Sequence, residues 1–419
     1  MSEVRIDPLT RVEGLGRLSV LTEGEEVKDV RLEIFEPPRF FERLLKGKKP
    51  DQVIDTVARI CGLCPVAYQL TAVEAFESIF ELKVPRHIRE LRRAIYCGEW
   101  VSSHSAHIFF LHLPDFYERE SFLELMREKR ELLEAGLQIR KTGNSIIELL
   151  GGRHIHPVNI RVGGFYKIPS APRIENTLAE IESALPFAEK ALELFLNFDY
   201  PEMEKERIFV SLGNHEVYPI TEGSAVSSEG MNIEKNEYEE YFVEYQLPHS
   251  TALYSRLKDG KAYEVGALAR IYNNFGKLPQ DLREKVEGVL PARNPFKSII
   301  ARIVEVIYAL REAKHILEKF EGGEPHVEYS IREGEGVGIT EAPRGILYHR
   351  YRVNSKGEVV FANIVPPTSQ NQRAMEEDVL LGLKTLKNGD IRVLAEKLVR
   401  NFDPCISCAS HFLEVIRVP

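Results

Sequence analysis

Apolar and polar positions alternate through Arg17-Leu18-Ser19-Val20-Leu21 and again from Val27 to Phe35, with Gly24 between them. A period of two marks half-buried strands, so residues 3–35 are predicted to form a β-hairpin or small sheet. From Arg39 onward the spacing becomes helical. Ile88, Leu91, Ile95, Val101, His104 and Ile108 recur every three to four positions. This predicts a long helix from about Arg86 to Leu111, entered after Pro85 and stopping before Pro114. Residues 122–150 and 174–197 repeat the signal, the second with a stripe of Leu178, Ile181, Leu185, Ala188 and Leu192. Between Ile208 and about Ser255 Gly, Asn, Pro and Tyr break the period, and loops with short strands are expected. A further helix covers Pro295 to Phe320 and ends at Gly322-Gly323. Strand-like alternation returns from Val327 to Val365, followed by helices at Met375–Leu386 and Ile391–Asn401. The expected fold is α+β and mainly helical, with a core of long bundled helices and small β-rich regions near both termini.

Composition narrows the function. The 419 residues carry 55 Lys and Arg against 64 Asp and Glu, a net charge of −9, and no basic run able to neutralise a row of phosphates. Nucleic acid is thereby set aside as a principal partner. No stretch reaches the roughly 18 consecutive apolar residues of a membrane span. Met1 to Asp7 lacks an apolar signal core, so a cytoplasmic location is expected. The run Gly334-Glu335-Gly336-Val337-Gly338 lacks dinucleotide-binding spacing and precedes a strand-like stretch, so it is read as turn glycines.

The five cysteines are too few and too odd in number for a disulfide framework. Cys61 and Cys64 form one C-x-x-C, Cys405 and Cys408 another, and Cys97 is left over. Two such pairs supply four thiolates, the number a tetrahedral zinc wants, or two redox dithiols. A separation of about 340 residues is poor for a local zinc staple.

The residues around the cysteines carry a resemblance. Arg59-Ile60-Cys61-Gly62-Leu63-Cys64 and Asp403-Pro404-Cys405-Ile406-Ser407-Cys408-Ala409-Ser410-His411 resemble the two signature motifs of the [NiFe]-hydrogenase large, catalytic subunit. Thr10-Arg11-Val12-Glu13-Gly14 is similar to that family's amino-terminal motif, and Arg39-Phe40-Phe41-Glu42 to its R-G-F-E. Glu341-Ala342-Pro343-Arg344-Gly345 matches E-A-P-R-G outright. Five motifs in order span Thr10 to His411.

The resemblance implies a Ni–Fe(CO)(CN)2 centre on all four motif cysteines. Cys61 and Cys405 would be terminal nickel ligands, while Cys64 and Cys408 would bridge nickel and iron. Soft thiolates suit both metals. Arg344, next to Pro343, and Thr368 look like donors to the cyanides, with Asp115 and Asp403 as acidic partners of Arg344. The implied reaction is reversible heterolytic cleavage of dihydrogen, with Cys405 sulfur and Arg344 both standing as candidate bases. Glu13 matches the family's proton-relay carboxyl. Glu42, His411 and the Ile364 carbonyl look like a separate site for Mg2+ or Fe2+. His104 and His107, three apart on the long helix, are read as core or outer-shell residues rather than ligands.

Two positions depart from the pattern: Tyr68 stands where many relatives have histidine, with a hydroxyl that still donates, and Phe40 replaces a glycine, as in some soluble members. The family resemblance also implies a maturation protease that cuts after His411 and removes residues 412–419. With four cysteines on one centre, Cys97 alone cannot hold an Fe–S cluster. No Fe–S cluster or flavin is expected in this chain. Electrons must leave through another chain; the resemblance implies an Fe–S small subunit, and the motif variants look most like the bidirectional group with flavin and NAD(P)-binding, diaphorase-type partners, with coupling to NAD(P) or to ferredoxin. A metal site built from both ends of the chain argues for one large catalytic domain over residues 1–419. The competing readings are a metal-free, hydrogenase-derived subunit of an electron-transfer complex and a scaffold stabilised by zinc on the four cysteines.

Overall fold

Four long helices, Arg86–Ala106, Arg130–Gly151, Ala171–Leu196 and Ser298–Glu318, pack side by side at the centre of an α+β, mainly helical chain. The computed structural model describes residues 2–386 and 390–411. Ser298–Glu318 is buried at every position from Ser298 to Leu310, Arg302 and Glu305 included, and packs against Arg86–Ala106 and Ala171–Leu196.

Two helices differ from the periodicity. The 122–150 signal splits at Lys129 (φ −127°, ψ 43°) into Phe122–Glu128 and Arg130–Gly151. The long helix does not stop before Pro114. After Ala106 it widens into a π-helical turn, His107–His112, and continues as Leu113–Phe116. The wider hydrogen-bond ring accommodates a proline that would clash in a regular α turn.

The amino-terminal sheet is antiparallel, Ser2–Ile6 to Gly16–Glu23 to Glu26–Ile34. Its apolar face meets the carboxyl end: Leu18, Val20 and Leu32 share a core with Met375, Leu398 and Ile406. The helix expected from Met375 begins at Pro367 and runs to Thr385, because its first turns bury polar residues that no apolar period reveals. Short strands occupy 210–257 as expected.

A second antiparallel sheet is formed by Gly334–Ala342, Gly345–Val353 and Val359–Val365. Gly334, Gly336 and Gly338 therefore belong to a strand and not to a turn. The strand lies against helix Pro65–Ile79, and a Cβ on Gly338 would sit 2.1 Å from the Thr71 carbonyl oxygen. Close backbone approach explains the glycines. Pro343 and Arg344 are the two-residue tip joining the first two strands. Gly345 completes that tip at φ 130°, where a Cβ would come within 2.4 Å of Val265. Among the described residues no helix is long and apolar enough to cross a membrane.

Candidate metal centre

Both cysteine pairs sit at helix starts inside the largest apolar core. Cys61 lies in the link between helices Pro50–Val57 and Pro65–Ile79, and Cys64 is the N-cap of the second. Cys405 caps the short helix Ile406–Ala409, which carries Cys408. The sulfurs of Cys61, Cys405 and Cys408 all lie within 4.8 Å of one another. Cys61 Sγ is 3.6 Å and Cys408 Sγ 2.7 Å from Cys405 Sγ, and the Cys64 thiol interacts with Cys61 and Cys408. All four are buried free thiols. Hydrogen bonds from Cys405, Cys408 and Cys64 hold the Cys61 thiol well below its ordinary value, whereas burial pushes Cys405 and Cys408 up. A buried pocket of four converging cysteine sulfurs fits a soft, multiply charged metal centre that would displace their protons.

Arg39 fastens the two pairs together: Nη2 donates to Ile60 O at 2.8 Å and to Ser407 O, one residue before Cys61 and one before Cys408. Glu13 reaches the cluster from the amino terminus. Its Oε2 accepts from Cys405 Sγ at 3.0 Å and from Ser407 N at 3.1 Å. Thr368 Oγ1 accepts from Cys405 N at 3.0 Å.

Arg344 is buried and donates through Nε to Asp403 O (2.8 Å), through Nη2 to Asp403 Oδ1 (3.0 Å) and through Nη1 to Ser103 Oγ (3.2 Å). Burial works against its charge, but Asp403 and the cysteine sulfurs outweigh it and hold the guanidinium well above its ordinary value. Asp115 is placed differently from the expectation. It pairs with Arg400 through both oxygens at 2.7 and 2.9 Å and with Arg11 at 2.6 Å, while Ser103 takes the second place beside Arg344. Asp115 thus anchors the amino-terminal motif, since Arg400 also donates to Thr10 O. Pro343 contributes its carbonyl, which accepts from Arg270 Nη2 at 2.9 Å. Tyr68 is buried against the sulfurs, with a hydroxyl that has no hydrogen-bond partner among the described residues. An orphaned polar atom beside four thiols again fits a ligand-bearing centre.

Glu42, Ile364 and His411 come together. Glu42 Oε1 accepts from Ile364 N at 2.9 Å and lies 4.0 Å from His411 Nε2. His411 Nε2 faces Ile364 O at 2.6 Å while Nδ1 faces Cys408 O. Burial holds this ring down to about 4, so at neutral pH it has one N–H for two carbonyls. A hard cation between Nε2, the carbonyl and the carboxylate resolves that mismatch.

Several residues of this site were not found by sequence reasoning. Glu99, Ser103, Arg270 and Glu305 are all buried. Arg270 forks onto Glu305 at 2.7 Å and also grips Glu341, Ala342 O and Pro343 O, holding the tip that presents Arg344. Glu99 did leave a signal, continuing the 88–91–95 apolar stripe with a carboxylate. His104 is a core residue bonded to Glu305 at 2.9 Å, and His107 meets Arg400 O at 2.8 Å.

A buried pocket of cysteine sulfurs brought together from both ends of the chain, with a carboxylate on one sulfur and a guanidinium beside it, is the donor set of a metalloprotein subunit. The nickel-dependent hydrogenase family model matches residues 39–135 and 234–411. Sulfhydrogenase 1 subunit alpha of Pyrococcus furiosus is 35% identical over 424 residues, covering 98% of each chain. The NAD-reducing hydrogenase HoxS subunit beta of Cupriavidus necator is 26% identical, covering 97% of this chain and 94% of that one. A crystal structure of an NAD+-reducing [NiFe]-hydrogenase in the H2-reduced state superposes with a TM-score of 0.89 at 26% identity, covering 98% of this chain and 100% of that one. The chain belongs to the nickel-dependent hydrogenases, as a [NiFe]-hydrogenase large, catalytic subunit.

Proposed function

We propose that residues 1–419 form one catalytic domain in which Cys61, Cys64, Cys405 and Cys408 hold a Ni–Fe(CO)(CN)2 centre. Cys61 and Cys405 would be ligands of nickel, and Cys64 and Cys408 would be ligands of both nickel and iron. When bound, that centre supplies the Lewis acidity and two-electron redox chemistry for splitting H2. The chain's own residues handle the proton and the surroundings. Cys405 sulfur takes the proton and hands it to Glu13 Oε2, 3.0 Å away, and this contact is the observation that carries the reading. Arg344, held by Asp403 through Nε and Nη2 and by Ser103 Oγ through Nη1, keeps its guanidinium beside the cysteine sulfurs, where it would donate to a cyanide. Thr368 Oγ1 accepts from Cys405 N, which leaves the hydroxyl proton for a cyanide. Glu42, Ile364 O and His411 hold Mg2+ or Fe2+.

Electrons leave through an Fe–S small subunit, for Cys97 is the one remaining cysteine. The resemblance to two hydrogenases named for NAD reduction supports NAD(P)-linked partner subunits; flavin in those subunits and a cytoplasmic location belong to the same proposal. Processing after His411 falls on 412–419, outside the described residues, and belongs to the same proposal. Elemental analysis and infrared spectroscopy of the purified complex test the reading. Nickel together with iron in excess of it, the excess belonging to the Fe–S clusters, and CO and cyanide bands are expected, and zinc without nickel overturns it.

A further inference from the structure

Cys64 is the N-cap of helix Pro65–Ile79, yet its side chain makes no capping hydrogen bond. A helix start leaves its first N–H groups without partners, and a capping residue commonly satisfies one with its own side chain. Pro65 has no N–H to satisfy. The next two amides, of Val66 and Ala67, donate to Glu99 Oε2 at 2.6 Å and Oε1 at 3.0 Å. Glu99 belongs to a different helix, Arg86–Ala106, and is 0% exposed. We propose that Glu99 is a positioning residue of the metal centre: it caps the Cys64 helix from outside, so that Cys64 Sγ is released from the backbone and held toward the other three sulfurs.

The need for an outside cap is both steric and electrostatic. A cysteine turned back to cap its own helix would withdraw its sulfur from the cluster, and a helix start left uncapped inside an apolar core would bury orphaned donors. A carboxyl brought in by a neighbouring helix, with one oxygen for each amide, meets both needs. One turn further along the same helix, Ser103 receives Arg344 Nη1 at 3.2 Å. One face of Arg86–Ala106 therefore fixes the first cysteine motif and the Arg344 tip together.

This inference rests on the bimetallic reading of the four cysteines. Its test compares the wild-type complex with Glu99→Gln and with Gln69→Leu, a control that removes a buried bond from Gln69 to Pro157 O in the same helix. Gln at position 99 offers one acceptor and turns an N–H2 group toward a donor. Glu99→Gln is expected to shift the CO and cyanide infrared bands and to speed nickel loss to a chelator by about tenfold. Gln69→Leu is expected to lower the melting temperature without moving the bands. Unchanged bands and nickel retention in Glu99→Gln, or an equal shift in the control, overturn the proposal. A measurement on wild type alone covers a variant that fails to fold: hydrogen exchange over residues 65–68 is expected to be slow, and rapid exchange there overturns the cap. Absence of CO and cyanide bands from the wild-type complex counts instead against the centre itself.

Discussion

The Cys405 thiol meets Glu13 Oε2 at 3.0 Å, joining residues 392 positions apart. The contact is framed by backbone. Residues 13 and 405 form a parallel bridge, Ile406 N donates to Glu13 O at 3.0 Å, and Ser407 N donates to the same carboxylate oxygen as the thiol. A sulfur inside the core is thus tied to a half-buried carboxylate on the outer side of the same crossing, a geometry suited to moving a proton outward.

In Glu13→Gln the amide oxygen still accepts from Ser407 N, so the crossing persists, but an amide neither takes up nor releases the proton. H2 oxidation with an artificial dye is expected to fall by about 10²-fold or more. Nickel content and melting temperature should hold. Retention of turnover would place the proton route elsewhere.

Arg344 and Ser103 should differ in weight. Arg344→Lys keeps a charge but loses the fork that engages Asp403 O and Oδ1, and turnover is expected to drop by about 10²-fold. Ser103→Ala removes a single acceptor at 3.2 Å, and a loss below about tenfold is expected. Steady-state rates at matched nickel content check the ranking, and the reverse order contradicts the assigned contacts.

Much of this arrangement was legible in the sequence. Cysteine spacing and flanking residues point to one centre, and the sulfurs do converge. Helix Ser298–Glu318 and the three-stranded amino-terminal sheet follow from apolar period alone. What escaped has a common physical cause: periodicity reports which face is buried, not which partner a buried polar group finds. Asp115 takes Arg400, 285 positions away, a choice made by the π turn that carries the chain through Pro114. Gly336 and Gly338 look like turn residues in a string of letters, but they are small because a helix backbone lies on them. Tyr68 was visible as a departure, whereas the lack of a partner for its hydroxyl among the described residues is a fact of three dimensions.

Acid should weaken the fold through two buried histidines. Burial lowers His104 from 6.5 to about 4 and His112 from 6.5 to about 3, with Nε2 bonded to Glu305 and Asn401 respectively. The folded chain keeps both rings neutral while the unfolded chain takes up protons below about 6.5, so stability present at neutral pH is lost as pH falls through this window. At pH 5 the loss is about 2 kcal/mol for each ring. Denaturant midpoints at pH 7 and pH 5 check the direction, and His112→Gln should reduce the difference.

Asp115 gives the opposite test, a charge whose removal should cost stability without touching the centre. Arg400, with its side chain 2% exposed, and Arg11, at 13%, both face it, and Arg400 also holds Thr10 O. Burial alone would raise the carboxyl, but the two guanidinium groups outweigh it and hold Asp115 below the usual carboxylate range. Its contribution is therefore complete above that range and disappears as pH falls beneath it. Asp115→Asn leaves two buried cations facing an amide, and about 3 kcal/mol of destabilisation is expected at pH 7, where breaking an exposed pair such as Arg86–Glu90 should cost less than about 1 kcal/mol. Because Asp115 does not contact Arg344, the infrared bands of the loaded complex should stay in place. A band shift as large as that of an Arg344 variant would return Asp115 to the immediate surroundings of the metals.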